Sequence, residues 1–276
     1  MNDNIRVDIE RFRGMLQNIS VSYKYISDED IERYVADIED ILTGRCDIND
    51  RFASIDFGAY KECYSLNNDF VIKFAREDNN TSAEENLFYR AVEDEVAEVF
   101  LPTWYCYLDS RGVELKMLDD EMASCRYCYD ESQHTYVENP DYVNPVANCV
   151  IIQPRILRTV SENSYLVFPL NELDYNKASI FDAEGNKVDY SVAYKFHVSS
   201  QTWLQDIVDA YGLEYFSRLA QFLTDNEVYD LHVGNIGYYT REDGKVVPVI
   251  FDCLSREQRS QPNFCKIEKY LLLRSN

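Results

Sequence analysis

The chain has 276 residues, 46% of them hydrophobic, and carries 49 acidic against 27 basic residues, a formal net charge of −22. This composition predicts a folded protein with one large domain or two lobes and excludes a disordered chain. An acidic excess of this size repels the phosphates of nucleic acids and of anionic lipids, so neither a nucleic acid nor a membrane is expected as a partner.

The sequence also lacks targeting features. No segment approaches the roughly 18 consecutive apolar residues of a membrane helix. The first six residues, Met1–Arg6, lack the charged start and apolar run of a signal peptide, so the expected compartment is the cytoplasm.

The eight cysteines are scattered, and most are expected to be reduced and buried. Cys125 and Cys128 have the spacing of a metal or redox pair. A zinc site would require a second such pair or nearby histidines, and neither is evident close by in the sequence.

The first elements are predicted to be helices. Apolar residues recur at three- and four-residue steps over residues 4–18 and 28–43. Ser27 is a suitable N-cap for the second helix and Gly44 a suitable stop. Residues 1–50 are therefore expected to form an N-terminal helical extension.

A meander of three antiparallel strands is predicted next, over residues 52–57, 60–66 and 70–75. Gly58 lies between the first two strands. The polar triplet Asn67–Asp69 supplies the turn between the second and third.

The middle of the chain mixes both kinds of element. A helix is predicted from about Ser82 to Val96, with acidic residues in its first turn. Short strands are predicted at residues 103–108, 113–118 and 148–152, and Pro154 is expected to end the last. The polar residues 119–148 are predicted to be an insertion, and residues 158–200 show no clear pattern.

Two helices, residues 203–211 and 214–224, are then predicted on either side of Gly212. The segment Val228–His232 and a turn come next. A hairpin follows, with strands at residues 236–239 and 246–251 and a tip at residues 242–244, and it ends in Asp252.

Three polar residues of this region form a candidate site. Asp230 and Asn235 lie five apart in the loop before the hairpin, and Asp252 follows its second strand, so the hairpin is expected to bring them to one rim. Carboxylate and amide oxygens suit Mg²⁺, which also keeps several waters and phosphates. A separate carboxylate can orient an attacking hydroxyl. The structural alternative is a polar loop with an Asx turn and a capping aspartate.

The loop Asp230-Leu-His-Val-Gly-Asn-Ile236 resembles that of the protein-kinase-like superfamily. It is most similar to the aminoglycoside- and choline-kinase-like branch and to short bacterial or phage kinase-like proteins. The resemblance implies ATP and Mg²⁺ as cofactors, Asp230 as the catalytic residue, and Asn235 and Asp252 as metal ligands.

The N-terminal half resembles the same family in its order of elements. The resemblance implies a nucleotide-binding hairpin at Gly58, a strand lysine, Lys73, at the phosphates, and a helix glutamate, Glu85, that holds this lysine. Glu84 is the rival for that role, and Glu85 is preferred because Tyr89, four residues later, shares its helix face. The structural alternatives are a solvated edge lysine and a glutamate that serves the helix dipole.

The family resemblance also implies an organisation in lobes. Residues 51–155 would form an N-lobe with a small antiparallel sheet and one helix, interrupted by the insertion at 119–148. Gln153 and Arg155 lie in the expected linker, which offers backbone groups to adenine. Residues 156–276 would form a reduced, mostly helical C-lobe that carries the catalytic hairpin, so the expected fold is a bilobal α+β kinase-like fold.

Three functions follow from this interpretation. The first is an ATP- and Mg²⁺-dependent phosphotransferase that binds the nucleotide between its lobes and acts on a hydroxyl of a protein or small molecule. The second is an inactive kinase-like (pseudokinase) binding or structural protein, for example of phage origin, which the single glycine at Gly58 and the short C-lobe favour. The third is a kinase scaffold that transfers a nucleotide.

Overall fold

The computed structural model describes a large part of the chain: residues 3–23, 26–57, 61–76, 79–110, 112–115, 127–130, 132–139, 145–159, 179–182, 184–189, 201–226, 228–229, 231 and 234–255. The described residues form five α-helices and sixteen strands, and the strand pairs are antiparallel. The predicted α+β class is confirmed.

The described residues belong to two compact units. Unit 1 takes residues 3–76 and 103–154, and unit 2 takes residues 79–102 and 155–255. Unit 1 contains α1 (Asp3–Ser22), α2 (Asp28–Leu42), β1 (Ala53–Phe57), β2 (Lys61–Ser65), β3 (Phe70–Ala75), β4 (Trp104–Tyr107), β5 (Val113–Glu114), β6 (Tyr127–Asp130), β7 (Thr135–Glu138), β8 (Val146–Ala147) and β9 (Cys149–Pro154). Unit 2 contains α3 (Asn79–Glu93), β10 (Arg158–Thr159), β11 (Ser179–Phe181), β12 (Lys187–Asp189), α4 (Gln201–Tyr211), α5 (Leu213–Asp225), β13 (Val228–Tyr229), β14 (Ile236–Thr240), β15 (Val246–Ile250) and β16 (Leu254–Ser255).

Helix α2 begins and ends at the predicted residues. The Ser27 hydroxyl accepts a hydrogen bond from the Asp30 amide at 3.2 Å, and the Asp30 carboxylate accepts one from the Ser27 amide at 3.3 Å. This reciprocal capping box provides acceptors for two backbone amides that would otherwise have none at the start of the helix. Gly44 follows the helix with a φ of +71°, the left-handed conformation that glycine adopts at no steric cost.

The main sheet of unit 1 has the strand order β1-β2-β3-β9-β4. Its first three strands are the predicted meander. The turn before β3 is fixed by the Asn67 side chain, whose oxygen accepts from the amides of Asp69 and Phe70, both at 2.8 Å. Strand β9 ends at Pro154, as predicted. The proline is itself the last residue of the strand, opposite Phe70, where its missing N–H removes no hydrogen bond from the interior of the sheet.

The core of unit 1 lies between α1, α2 and one face of this sheet. Phe70, Ile72 and Phe74 alternate along β3 and are at most 1% exposed. The residues predicted as an N-terminal extension therefore contribute much of this core, since apolar side chains of both helices pack in the same cluster. Within residues 119–148, the described parts are a hairpin of β6 and β7 and the strand β8, which pairs with β5.

A buried carboxylate connects α1 to the turn that follows β4. The Asp8 side chain is fully buried and accepts hydrogen bonds from the amides of Asp109 at 2.7 Å and Ser110 at 2.9 Å. Arg11, one turn later, donates to the Tyr107 carbonyl at 2.5 Å and to the Asp109 carboxylate at 3.0 Å. These bonds fix where α1 crosses the end of the sheet.

Unit 2 has a core of its own, in which α3, α4 and α5 pack around Trp203, which is fully buried. Gly212 separates α4 from α5 with a φ of +88°, as predicted. Tyr215 of α5 holds the segment that follows α3 against α5. Its hydroxyl donates to the Val96 carbonyl at 2.7 Å and accepts from the Val99 amide at 3.0 Å.

None of the helices in the described part of the chain is long and apolar enough to cross a membrane.

The first testable expectation concerns Asp8. Asp8→Ala should lower the free energy of unfolding of unit 1 by about 2 kcal/mol or more, because two backbone amides lose their acceptor in a buried place. The protein has two tryptophans, Trp104 in unit 1 and Trp203 in unit 2. Urea unfolding followed by Trp104 fluorescence in a Trp203→Phe background therefore reports on unit 1.

The matched control is Asp3→Ala in the same helix. The Asp3 carboxylate is 93% exposed and pairs with Arg6 at 3.9 Å, so its removal should change the stability by less than about 0.5 kcal/mol. Equal effects of the two substitutions would contradict a structural role for the Asp8 bonds.

Candidate functional site

The hairpin predicted at residues 236–251 is present in unit 2. Strands β14 and β15 pair in register from Ile236 opposite Ile250 to Thr240 opposite Val246. The tip closes with a hydrogen bond from the Arg241 amide to the Lys245 carbonyl at 2.8 Å. The strands, the turn and the residue at which the hairpin ends match the prediction.

The open end of this hairpin brings Asn235 and Asp252 together. The Asn235 carbonyl accepts hydrogen bonds from the amides of Phe251 at 3.0 Å and Asp252 at 3.4 Å. Both Asn235 and Asp252 are half-buried. The 16 residues between them are thus closed by backbone bonds, and two oxygen-bearing side chains start from adjacent points of one rim.

Asp230 lies outside the described residues, but both of its neighbours are described. Tyr229 pairs with Leu254 and Val228 with Ser255, so β13 runs antiparallel to β16. Leu231 is fully buried in the core of unit 2. The chain that leads to Asp230 is therefore paired with the chain that leaves Asp252.

A close backbone approach holds the hairpin against a third strand, β10. Thr159 of β10 pairs with Gly237, and a Cβ atom at Gly237 would lie 2.6 Å from the Arg158 carbonyl oxygen. The indole of Trp203 donates to the Gly237 carbonyl at 3.2 Å. Only glycine fits between these two backbones without a shift.

Two buried residues of this region, Leu231 and Cys253, had no predicted role. Leu231 and Cys253, each next to a candidate acidic residue, are 0% and 3% exposed and pack in the core of unit 2. They anchor the loop and the strand end from which the polar groups project. A signal for them exists in the sequence, since each is an apolar residue directly after an aspartate of the motif.

The two candidate glutamates of α3 differ in surroundings. Glu84 is 7% exposed, whereas Glu85 is half-buried and accepts a hydrogen bond from the Tyr89 hydroxyl at 2.5 Å. This contact confirms that Glu85 and Tyr89 share a helix face. Burial, and then the negative charge of Glu85, raise the pKa of the Tyr89 hydroxyl. The choice between Glu84 and Glu85 stays a prediction.

Lys73 lies in β3, the central strand of the unit 1 sheet, opposite Cys63 of β2 and Ile151 of β9. It is 7% exposed, on the face that also carries Ala75 and Cys149. The alternative of a solvated edge lysine is therefore wrong. Lysine is rarely buried unless it is paired, so its burial distinguishes Lys73 from the apolar residues of this face.

The expected linker residues have different environments. Gln153 is 2% exposed, and its side-chain amide donates to the Thr103 hydroxyl at 2.8 Å. Arg155 is exposed. The border between the two units falls between Pro154 and Arg155, inside the predicted linker. The predicted lobe boundaries themselves stay a prediction.

Two further candidates, Gly58 and Cys125, lie outside the described residues. Within the part of the chain that the structure describes, no group of three or more His, Cys, Asp or Glu side chains could hold a metal ion.

No protein-family model, no curated protein and no solved structure gives a significant match to this chain.

The close approach at Gly237 generates a prediction. Gly237→Ala should lower the free energy of unfolding of unit 2 by about 1–3 kcal/mol, because β10 must move away from the added methyl group. Trp203 contacts this glycine, so its fluorescence in a Trp104→Phe background reports the change.

Gly14→Ala is the matched control. Gly14 lies in α1, a Cβ atom there would meet nothing within 4 Å, and the change should leave stability unchanged or raise it by up to about 1 kcal/mol. A Gly237→Ala variant as stable as the parent protein would show that β10 does not constrain the hairpin.

Proposed function

We propose that the chain is an ATP- and Mg²⁺-dependent phosphotransferase with a kinase-like bilobal organisation, acting on a hydroxyl group of a protein or small molecule. The observation that carries the proposal is the hairpin end, where the Asn235 carbonyl binds the amides of Phe251 and Asp252. This contact supports the proposal that the side-chain amide oxygen of Asn235 and the carboxylate of Asp252 bind the same Mg²⁺ ion.

The donor set fits magnesium. Mg²⁺ is a hard ion that takes one or two carboxylate or amide oxygens from the protein and fills its other positions with water and phosphate oxygens. Asn235 and Asp252 are such donors, are half-buried, and start from adjacent backbone positions. When bound, the ion would neutralise charge on the phosphates of ATP.

Asp230 is proposed to orient and deprotonate the acceptor hydroxyl. In the reaction, the acceptor oxygen forms a bond to the γ-phosphorus, the bond from that phosphorus to the bridging β,γ oxygen breaks, and ADP leaves. The proton of the hydroxyl passes to the Asp230 carboxylate. The pairing of Tyr229 with Leu254 and the burial of Leu231 support this role, because they hold the chain on both sides of Asp230.

Lys73 and Glu85 complete the proposal. A buried ammonium group on a rigid central strand can act as a fixed positive charge at the nucleotide phosphates. A helix carboxylate, Glu85 or its rival Glu84, would stabilise that charge. The order of these residues along the chain also supports a kinase-like phosphotransferase. Gly58 comes first, between β1 and β2, and is followed by the lysine strand, the glutamate helix, Asp230 and the hairpin that precedes Asp252.

The first test measures nucleotide binding through thermal unfolding. MgATP at ten times its dissociation constant should stabilise the protein by about 1.4 kcal/mol and raise its melting temperature by roughly 2–4 °C. Asp252→Asn should abolish the part of the shift that depends on Mg²⁺, because it removes the carboxylate charge and keeps the side-chain shape.

Asp243→Asn is the matched control, at the opposite end of the same hairpin. Its side-chain oxygen accepts from the Lys245 amide at 3.0 Å, a bond that asparagine retains, so the shift should persist. A parent protein without any shift at millimolar MgATP would overturn the proposal and favour an inactive kinase-like binding protein.

A second test separates binding from catalysis. Asp230→Asn should keep the MgATP-dependent thermal shift and lower phosphate transfer, measured as ADP release or autophosphorylation, by about 100-fold or more. Nucleotide binding with no transfer in the parent protein would favour the inactive alternative. Release of pyrophosphate in place of ADP would favour nucleotide transfer.

A further inference from the structure

One buried side chain of unit 2 has no part in the site described above. Among the described residues of this unit, the buried polar side chains are those of Glu84 and Asn226. Asn226 is 2% exposed and follows directly after α5, two residues before β13. Burying a primary amide costs free energy unless its donors and acceptor are satisfied.

Asn226 makes hydrogen bonds in two directions. Its backbone amide and its side-chain nitrogen both donate to the Phe222 carbonyl, at 3.0 and 2.8 Å. Its side-chain oxygen accepts from the Arg90 guanidinium at 2.8 Å. A carbonyl can only accept and a guanidinium can only donate, so these partners fix the orientation of the Asn226 amide.

These bonds join elements that are far apart in sequence. Arg90 lies in the last turn of α3, 136 residues before Asn226. Val228, two residues after Asn226, is 1% exposed and lies in β13, which pairs with β16. Helix α3 in turn packs against β16. Asn226 therefore links α3 to the end of α5, next to the β13–β16 ladder against which α3 also packs.

We propose that Asn226 is a positioning residue that, through Arg90, sets the position of the β13–β16 ladder relative to helix α3. Because this ladder flanks Asp230 on one strand and Asp252 on the other, the contact keeps both acidic residues aligned with the glutamate-bearing helix. This catalytic consequence rests on the proposed function, whereas the positioning itself does not.

A contact that only stabilised the core would behave differently. Asn226→Leu keeps a similar volume but takes away the acceptor of Arg90, and for a contact that only stabilised the core this loss would lower the stability of unit 2 as a whole. A positioning contact instead predicts a local loss of order next to the ladder. Hydrogen exchange distinguishes the two, since global unfolding affects all amides and local opening affects few.

The experiment compares the full-length parent chain with Arg90→Met and Asn226→Leu by hydrogen exchange. Amides of Val228, Tyr229, Leu254 and Ser255 should exchange roughly tenfold to a hundredfold faster in either variant, the effect expected for a lost charge-assisted bond. Amides of α5 before Phe222 should keep their protection. Arg218→Met, which removes an exposed contact to Glu214 in the same unit, is the control and should change neither group.

Two exchange results would overturn the proposal: unchanged exchange of the ladder in Arg90→Met, or an equal acceleration across all of unit 2. Arg90→Met keeps the aliphatic stem of the arginine and provides the test even if Asn226→Leu fails to fold.

Catalysis gives the second readout. Both variants should lower kcat at least tenfold with little change in KM for ATP. Asn226→Asp keeps the acceptor for Arg90 but loses the amide that donates to the Phe222 carbonyl, so its kcat should fall less than that of Asn226→Leu. A parent protein without MgATP binding or turnover would refute the proposed function, and hydrogen exchange would still decide on positioning. A normal kcat in an active protein whose ladder has loosened would refute the catalytic consequence.

Discussion

The candidate site depends on one carbonyl oxygen, that of Asn235, which accepts from the amides of Phe251 and Asp252. These bonds continue the register of β14 and β15 by one step beyond the last strand pair. A register slip of one residue would reverse the face to which every side chain of the hairpin points. Ile236 and Ile250 pair with each other and are both buried in the core of unit 2, which opposes such a slip, so this core determines where the polar groups meet.

Buried polar groups perform the equivalent task elsewhere in the molecule. Asp8 satisfies two amides of a turn, Gln153 binds Thr103, and Asn226 joins Arg90 to Phe222. Each contact joins segments that are far apart in the sequence. Such bonds contribute little net stability, but they penalise every arrangement in which a partner is lost. Specific geometry in this chain therefore depends on few side chains.

Local patterns predicted most elements, because their causes are local. The N-cap at Ser27, the turn at Asn67 and the glycine between helices at Gly212 each act within four residues, and all were anticipated, although the reciprocal bond of Asp30 to Ser27 was not. The β14–β15 hairpin was also accessible from sequence, since its strands and turn are contiguous. The meeting of Asn235 with Asp252 followed from this hairpin alone.

What the sequence did not predict depends on contacts over long separations. The periodicity of α3 showed an amphipathic helix but not that Leu87 and Ala91 pack with α4 and α5 in unit 2. The burial of Lys73 follows from its central strand, whose neighbour β9 lies nearly 80 residues further along the chain. The partner of Arg90 is 136 residues away. No window along the chain contains both members of such pairs.

The order of the two units along the chain has a consequence for biosynthesis. Unit 1 cannot complete its sheet until β9 has left the ribosome, because β9 lies between β3 and β4. Helix α3 emerges earlier, with Leu87, Phe88 and Ala91 on its apolar side, yet its packing partners in α4 and α5 are made more than 100 residues later. The apolar side of α3 thus lacks its packing partners for much of the synthesis of the chain. Exposed apolar surface of this kind binds chaperones and promotes aggregation.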